Sequence, residues 1–297
     1  MDTKFKALIA LIATVLLWGF HAVISRSVVQ QIPPMLLSLL RMATASILFF
    51  PLIIKFKPWK KLKFKSLIAV SLLSASNVLF FIWGVKYTTA SASQLIYAAI
   101  PVFMVIINIF ILREKISSGK IAGVLIGFTG LLYIIYLSSV EQGRTITGNL
   151  NGNLIIVIAM FSWLWYVILS KKMTKYFSPI EIGGTAVLVT CVINFFLAVL
   201  EYYFTRSSFV WNSGLLLGGL YMGVGGTFLA YIFYQYAIKN LSTLEVSMSS
   251  YLQPIVTALI ASAMIGEKLT IHFILGSTLV FSGIFLTTTL EVYKRRK

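Results

Sequence analysis

Acidic side chains are scarce in this chain. Its 297 residues include eight Asp and Glu, two His and a single Cys, and 11% are charged. One cysteine excludes an intrachain disulfide, and Cys191 sits in an apolar stretch where it reads as a small buried residue. With only His21 and His272 present, no H-E-x-x-H zinc pair exists, and no acidic pair falls inside an apolar stretch to hold magnesium. No metal and no cofactor are therefore expected. A phosphate loop (G-x-x-x-x-G-K followed by Ser or Thr) is also missing, so the chain carries no ATPase domain. Long polar segments are absent too. The longest runs roughly from Ser138 to Leu150, which leaves no room for an extramembrane domain.

What remains is apolar. Hydrophobic residues make up 59% of the chain and the mean hydropathy is +0.92, far outside the range of a soluble globular domain. Ten stretches of about 17–25 residues are each long enough to cross a hydrocarbon core of ~30 Å as a helix. They fall near 6–26, 34–54, 66–86, 90–112, 119–137, 151–170, 181–203, 212–237, 243–266 and 272–290. The first is not read as a cleaved signal, because it matches the sixth and lacks a small-residue cleavage pattern.

The net charge of +17 is not a nucleic-acid footprint, because the cations alternate between loops. With both termini on the cytoplasmic side, 19 of the 25 Lys and Arg lie inside, among them Lys55, Lys57, Lys60, Lys61, Lys63 and Lys65. Five lie outside (Arg26, Lys86, Arg144, Arg206 and Lys268), and Arg41 falls within a span. This bias predicts a multi-pass protein of the cell's inner (plasma) membrane with both termini cytoplasmic. The Lys55–Lys65 cluster also suits anionic lipid.

The chain repeats itself. Pro101, Glu114-Lys115, Gly123 and Gly130 recur as Pro254, Glu267-Lys268, Gly276 and Gly283, each 153 residues on, as do Lys86 and Lys239. At offset 145, Trp18, Ser25, Arg26 and Pro34 match Trp163, Ser170, Lys171 and Pro179. Each copy holds five spans, and an odd number forces the copies into opposite orientations, the architecture of alternating-access carriers. The expected fold is all-α, ten transmembrane helices as two inverted five-helix repeats around a central cavity. Residues 1–137 form the first repeat, 138–150 an external linker, 151–290 the second repeat, and 291–297 a basic cytoplasmic tail.

Polar residues inside spans should face protein or water. Thr14, Trp18, His21 and Ser25 share one face of the first span, with Ala159, Trp163, Tyr166 and Ser170 as counterparts. These aromatic stripes either line the cavity or pack between helices. Arg41 lies about seven residues into its span, roughly 10 Å deep at 1.5 Å per residue. It either snorkels and caps carbonyls, or grips a carboxylate or phosphate with its paired donors. Gln94, Tyr97, Pro101 and Asn108 mark one face of the fourth span. Tyr221, Gly225, Phe228 and Gln235 mark one side of the eighth, with Tyr231 beside them. Pro101 and Pro254 are candidate kinks for gating, against a static reading. Glu181 fits a capping box after Ser178, and Glu245 fits one after Ser242 but is also a candidate coupling site for protons. Glu114 and Glu267 read as helix ends. The steps Gly119, Gly123 and Gly127 read as close helix packing.

On these residues (Trp18-Gly19, Arg41, Pro101, Glu114, Gly123, Gly130 and the second copy Pro254, Glu267, Gly276, Gly283) the chain resembles the EamA-type transporters of the drug/metabolite transporter superfamily. The resemblance covers both halves. It implies spans one to four and six to nine around the cavity, with spans five and ten at the periphery. It also implies efflux or exchange of small metabolites, often amino acids and derivatives. His21 and Glu245 stand outside the family pattern. The expected function is a secondary carrier, not an enzyme, that exports a small organic molecule. The expected substrate contacts are Trp18, His21, Arg41, Gln94, Tyr97, Trp163, Tyr166, Tyr231 and Gln235. A facilitator or exchanger of nucleotide-derived, sugar-phosphate or amine compounds is the alternative. A lipid-acting membrane enzyme and a structural or lipid-scrambling subunit are more remote.

Overall fold

The computed structural model describes residues 2–28, 31–85, 87–88, 90–141, 149–205, 212–265 and 271–294. Lys86, Arg144, Arg206, Glu267, Lys268 and residues 295–297 lie outside them, as do the side chains of Ser25 and Arg26. Among the described residues every regular element is a helix, and ten stretches are long and apolar enough to cross a membrane.

The first three spans are single helices, α1 (Thr3–Val28), α2 (Pro34–Phe56) and α3 (Phe64–Val85). The fourth is interrupted, α4 (Ala90–Ala98) and α5 (Ile100–Phe110). The next three are α6 (Ser118–Glu141), α7 (Leu150–Met173) and α8 (Pro179–Thr205). The eighth comprises α9 (Ser213–Gly223), a π-helical turn (Val224–Leu229) and α10 (Ala230–Asn240). The ninth is a short α11 (Thr243–Ser247) and α12 (Ser249–Ile265), and the tenth is α13 (Ile271–Lys294).

Local chemistry sets these ends. Pro34 opens α2, where a missing N–H costs nothing, and Lys57 closes it at φ 51 with its N–H on the Ile53 carbonyl. At α8, Ser178 N donates to Glu181 Oε2 at 2.8 Å and Glu181 N to Ser178 Oγ at 3.3 Å, the expected capping box. Glu181 does more than cap. It is 1% exposed and pairs with Lys61 at 2.7 Å, tying the α2–α3 connection to the start of α8.

The described helices fall into two compact units that are not the two sequence repeats, for each draws on both halves of the chain. The first unit spans Met1–Ile82 and Trp165–Leu241. Within it α2 and α8, which begin at the equivalent Pro34 and Pro179, run antiparallel. Asn194 Nδ2 donates to Ser38 Oγ at 2.7 Å near one end, and Gly184 abuts Phe49 and Ile53 toward the other. α1 likewise runs antiparallel to the eighth span, pairing Trp18 with Tyr234 and Val28 with Gly218.

The second unit spans Trp83–Leu164 and Ser242–Lys297. Its largest seam joins α6 to α13. A methyl on Gly123 would meet Thr287 Oγ1 at 2.5 Å and the Gly283 carbonyl at 2.7 Å, and one on Gly130 the Gly276 carbonyl at 2.8 Å. Under the 153-residue offset Gly123–Gly283 becomes Gly276–Gly130, and Gly123–Thr287 becomes Gly276–Ile134, which is also in contact. The contacts of one helix are thus those of the other, exchanged. Such backbone approach requires glycine and gives membrane helices their association energy.

Candidate functional site

A polar constellation forms inside the first unit, where its helices converge on the eighth span. That span contains Gly223-Val224-Gly225-Gly226, and here the helix widens into the π-helical turn. Three glycines in four residues lower the local preference for a regular α-helix, and a π-turn alters which carbonyls the ladder uses. Trp18 Nε1 donates to the Gly226 carbonyl at 3.1 Å. The His21 ring lies on the same glycine, so close that a methyl there would sit 2.6 Å from Cδ2. Gly226 is therefore the seat of the imidazole.

Arg41 Nη1 meets His21 Nε2 at 3.0 Å. A guanidinium only donates, so this imidazole nitrogen accepts and the ring is neutral, with its proton on Nδ1. Among the described residues no carboxylate pairs with Arg41, and its Nε is buried without a hydrogen-bond partner. The cation is thus neither neutralised nor capping a carbonyl. It is braced by a neutral partner and keeps a donor unused. An anion would complete it, because the planar fork presents paired donors to a carboxylate or phosphate.

Two further polar clusters follow along α10. Tyr231 OH hydrogen-bonds Ser74 Oγ of α3 at 3.1 Å, and the Arg41 guanidinium lies within electrostatic range of this tyrosine. Gln235 Nε2 donates to Tyr166 OH at 2.7 Å and reaches Ser170 Oγ at 3.5 Å. Gln235 is fully buried and its Oε1 has no partner. Trp18 stacks obliquely on Tyr234, with ring centroids 5.0 Å apart.

The single polar side expected for the eighth span is not observed. Tyr221 donates to the Leu17 carbonyl of α1, Phe228 packs on Phe49 of α2, Tyr231 meets α3, and Gln235 meets α7. The π-turn adds a residue to the repeat and rotates everything beyond it, so a 3.6-residue period carried across the turn misplaces the later side chains. Sequence reading missed Ser74 and Gly226 as partners, though the glycine cluster was a visible sign of irregular helix.

Of the expected site residues, Trp18, His21, Arg41, Tyr166, Tyr231 and Gln235 belong to the first unit, and Gln94, Tyr97 and Trp163 to the second. Gln94 and Tyr97 are partly buried on α4. The fourth span breaks at Ala99, two residues before Pro101, whereas Pro254 lies inside the continuous α12 and the ninth span breaks earlier, at Met248. The repeat-related prolines are therefore not at equivalent breaks. Glu245 closes a capping box: Ser242 N and Oγ donate to its Oε2 at 2.8 and 2.9 Å, and its own N–H reaches Ser242 Oγ at 3.2 Å. Glu114 follows the end of α5, its N–H on the Asn108 carbonyl at 2.7 Å.

Comparison with known proteins agrees with this architecture. The profile of the EamA-like transporter family matches residues 5–136 and 150–289. The uncharacterized transporter YoaV of Bacillus subtilis (strain 168) is 26% identical over 301 residues, covering 98% of this chain and 99% of its own. The uncharacterized inner membrane transporter YedA of Escherichia coli (strain K12) is 24% identical over 284 residues, covering 94% and 89%. One solved crystal structure, described only as that of a protein, superposes with a TM-score of 0.80 over 98% of both chains at 16% identity, a likeness of fold. A multi-pass membrane protein of ten spans, the chain belongs to the EamA-like transporter family of the drug/metabolite transporter superfamily.

Proposed function

We propose that this transporter is a secondary active carrier that exports a small carboxylate-bearing metabolite, an amino acid or derivative, across the inner membrane by alternating access. The observation that carries the reading is the Arg41–His21 pair. A permanently charged guanidinium with an unused buried donor sits in an apolar span beside a neutral imidazole. Holding such a charge at a helix centre costs about 2.5–3.5 kcal/mol on insertion scales. A substrate carboxylate would offset that cost each time it binds. Trp18 and Tyr234 offer aromatic surface for the apolar part of the molecule. Gln94, Tyr97 and Trp163 remain proposals for substrate contact.

The antiparallel pairing of α2 with α8 and the exchanged contacts of α6 with α13 support opposite orientation of the two repeats, which alternating access uses. The test is counterflow in proteoliposomes with a panel of amino acids, other carboxylates and amines. Carboxylates should move and amines lacking a carboxylate should not. Failure of every carboxylate would sink the reading.

Coupling is read from Glu245→Gln. Glutamine at the third helical position still closes a capping box, so a capping role predicts transport and pH-gradient response within about twofold of the parent. Loss of the gradient response, with exchange at equal pH retained, would instead make Glu245 the proton site. Orientation is read from a cysteine at position 60 on a Cys191→Ala background. An impermeant reagent added to intact cells should leave it unlabelled, because the 19-to-5 cation bias puts that loop inside.

A further inference from the structure

The α2–α3 connection is a run of tight turns. Lys60 N donates to the Lys57 carbonyl, Lys61 N to the Pro58 carbonyl and Phe64 N to the Lys61 carbonyl, each at 3.0 Å. From this run Lys61 reaches across to the α7–α8 connection. Its Nζ pairs with Glu181, hydrogen-bonds the Tyr176 carbonyl at 3.4 Å and lies 5.2 Å from the centre of the Phe177 ring. Phe177 in turn packs with Leu67 of α3 and Ile182 of α8. Two connections far apart in sequence are thereby pinned side by side at one end of the first unit. That is the end to which the cation bias assigns the inner side.

The pin leaves one sign of charge unbalanced. Residues 55–65 and 171–178 contain no Asp or Glu, and Glu181 is buried and already paired. Lys57, Lys60 and Lys63 are exposed, and none has an acidic partner among the described residues. Lys172 and Lys175 are exposed on the adjoining connection. Apolar surface is interleaved with these cations, for Leu62 is 96% exposed, Trp59 46% and Tyr176 50%. Bare apolar groups of this size in water are unfavourable. They lie between the ends of membrane spans, where the headgroup layer meets hydrocarbon and where Trp and Tyr are favoured.

We propose that this pinned pair of connections is a seat for anionic phospholipid, with the lysines on the headgroup phosphate and Leu62, Trp59 and Tyr176 at the acyl boundary. A soluble anion would use the lysines and leave Leu62 bare. A neutral lipid would cover Leu62 and leave the cations unbalanced. Anionic lipid satisfies both. Because Lys61 already holds the turns in place, binding orders little of the chain and loses little entropy.

The test titrates purified full-length protein in dodecyl maltoside against a trace of fluorescent phosphatidylglycerol, read by anisotropy, with phosphatidylcholine of the same chains as reference. A lysine at an anionic surface adds about fivefold to affinity. We expect phosphatidylglycerol to bind at least about tenfold tighter than phosphatidylcholine. Combining Lys57→Gln, Lys60→Gln and Lys63→Gln should bring the two lipids within about twofold of each other. These side chains are exposed and Lys61 is untouched, so folding is preserved. Combining Lys4→Gln, Lys6→Gln and Lys115→Gln removes the same charge elsewhere and should keep the preference. Trp59→Ser with Leu62→Ser should weaken both lipids alike. Glycerol 3-phosphate at millimolar concentration should displace neither. Equal binding of the two lipids by the parent, or a preference that survives loss of Lys57, Lys60 and Lys63, would overturn the proposal. So would equal losses in the two triple variants, which would reduce the effect to net charge. Unchanged lipid binding without Trp59 and Leu62, or displacement by glycerol 3-phosphate, would mean that the seat takes a soluble phosphate and not a lipid.

Discussion

Arg41→Gln is expected to weaken carboxylate binding on the order of 100-fold, because truncating one member of a desolvated charge pair costs about 2–5 kcal/mol. The same variant should be at least as stable as the parent. Glutamine removes a cation from an apolar span and relieves an insertion cost of up to about 3 kcal/mol, while the His21 imidazole keeps an amide donor within reach. A residue whose removal raises the melting temperature and lowers binding is one retained for function at the expense of stability. Arg41→Lys should fall between, retaining the charge but losing the fork that donates to His21 and to a carboxylate together. Scintillation proximity binding and thermal melting in detergent, run on the same preparations, check both halves of the expectation. Parental affinity in Arg41→Gln would remove the guanidinium from recognition, and lower stability would make it a structural brace.

Much of this was legible from residue spacing. Hydropathy located ten spans because an apolar stretch in a hydrocarbon core must pair its own polar backbone groups, which a single helix does. The offset of 153 located Gly123, Gly130, Gly276 and Gly283, which pack backbone to backbone. Capping boxes at Glu181 and Glu245 were readable because they depend on four consecutive residues. Contacts between distant segments were not. Nothing local to Arg41 points to His21, twenty residues away on another helix, and nothing local to Glu181 points to Lys61. The π-turn defeated the periodicity argument for Tyr221 through Gln235, since one added residue shifts every later side chain. Pro254 shows the same limit from the other side. It repeats Pro101 in sequence, yet the helix continues through it and breaks six residues earlier at Met248.

The other large effect belongs to the α6–α13 seam. A methyl on Gly283 would run into the Gly123 carbonyl and lie 2.5 Å from the Gly127 nitrogen and 2.8 Å from the Gly127 Cα. These are backbone atoms that cannot swing aside, so Gly283→Ala must part the two helices along their length. Overpacking of this kind costs about 1–3 kcal/mol, and here the loss is multiplied because every other contact of the seam loosens with it. Gly283→Leu is expected to leave no monodisperse protein, and Gly283→Ala to melt several degrees lower. Gly219 on α9 supplies the control, for a methyl there meets nothing within 4 Å. Gly219→Ala should melt with the parent or slightly above it, since alanine is favoured over glycine in a helix by up to about 1 kcal/mol. The repeat adds a sharper requirement. Gly130 stands to Gly276 as Gly283 stands to Gly123, so Gly130→Ala should lower the melting temperature by a similar amount. Equal losses at Gly130 and Gly283, with none at Gly219, would establish that the seam is stabilised twice over by the same contact. A silent Gly283→Ala would mean that the helices separate freely and that the glycines do not hold them.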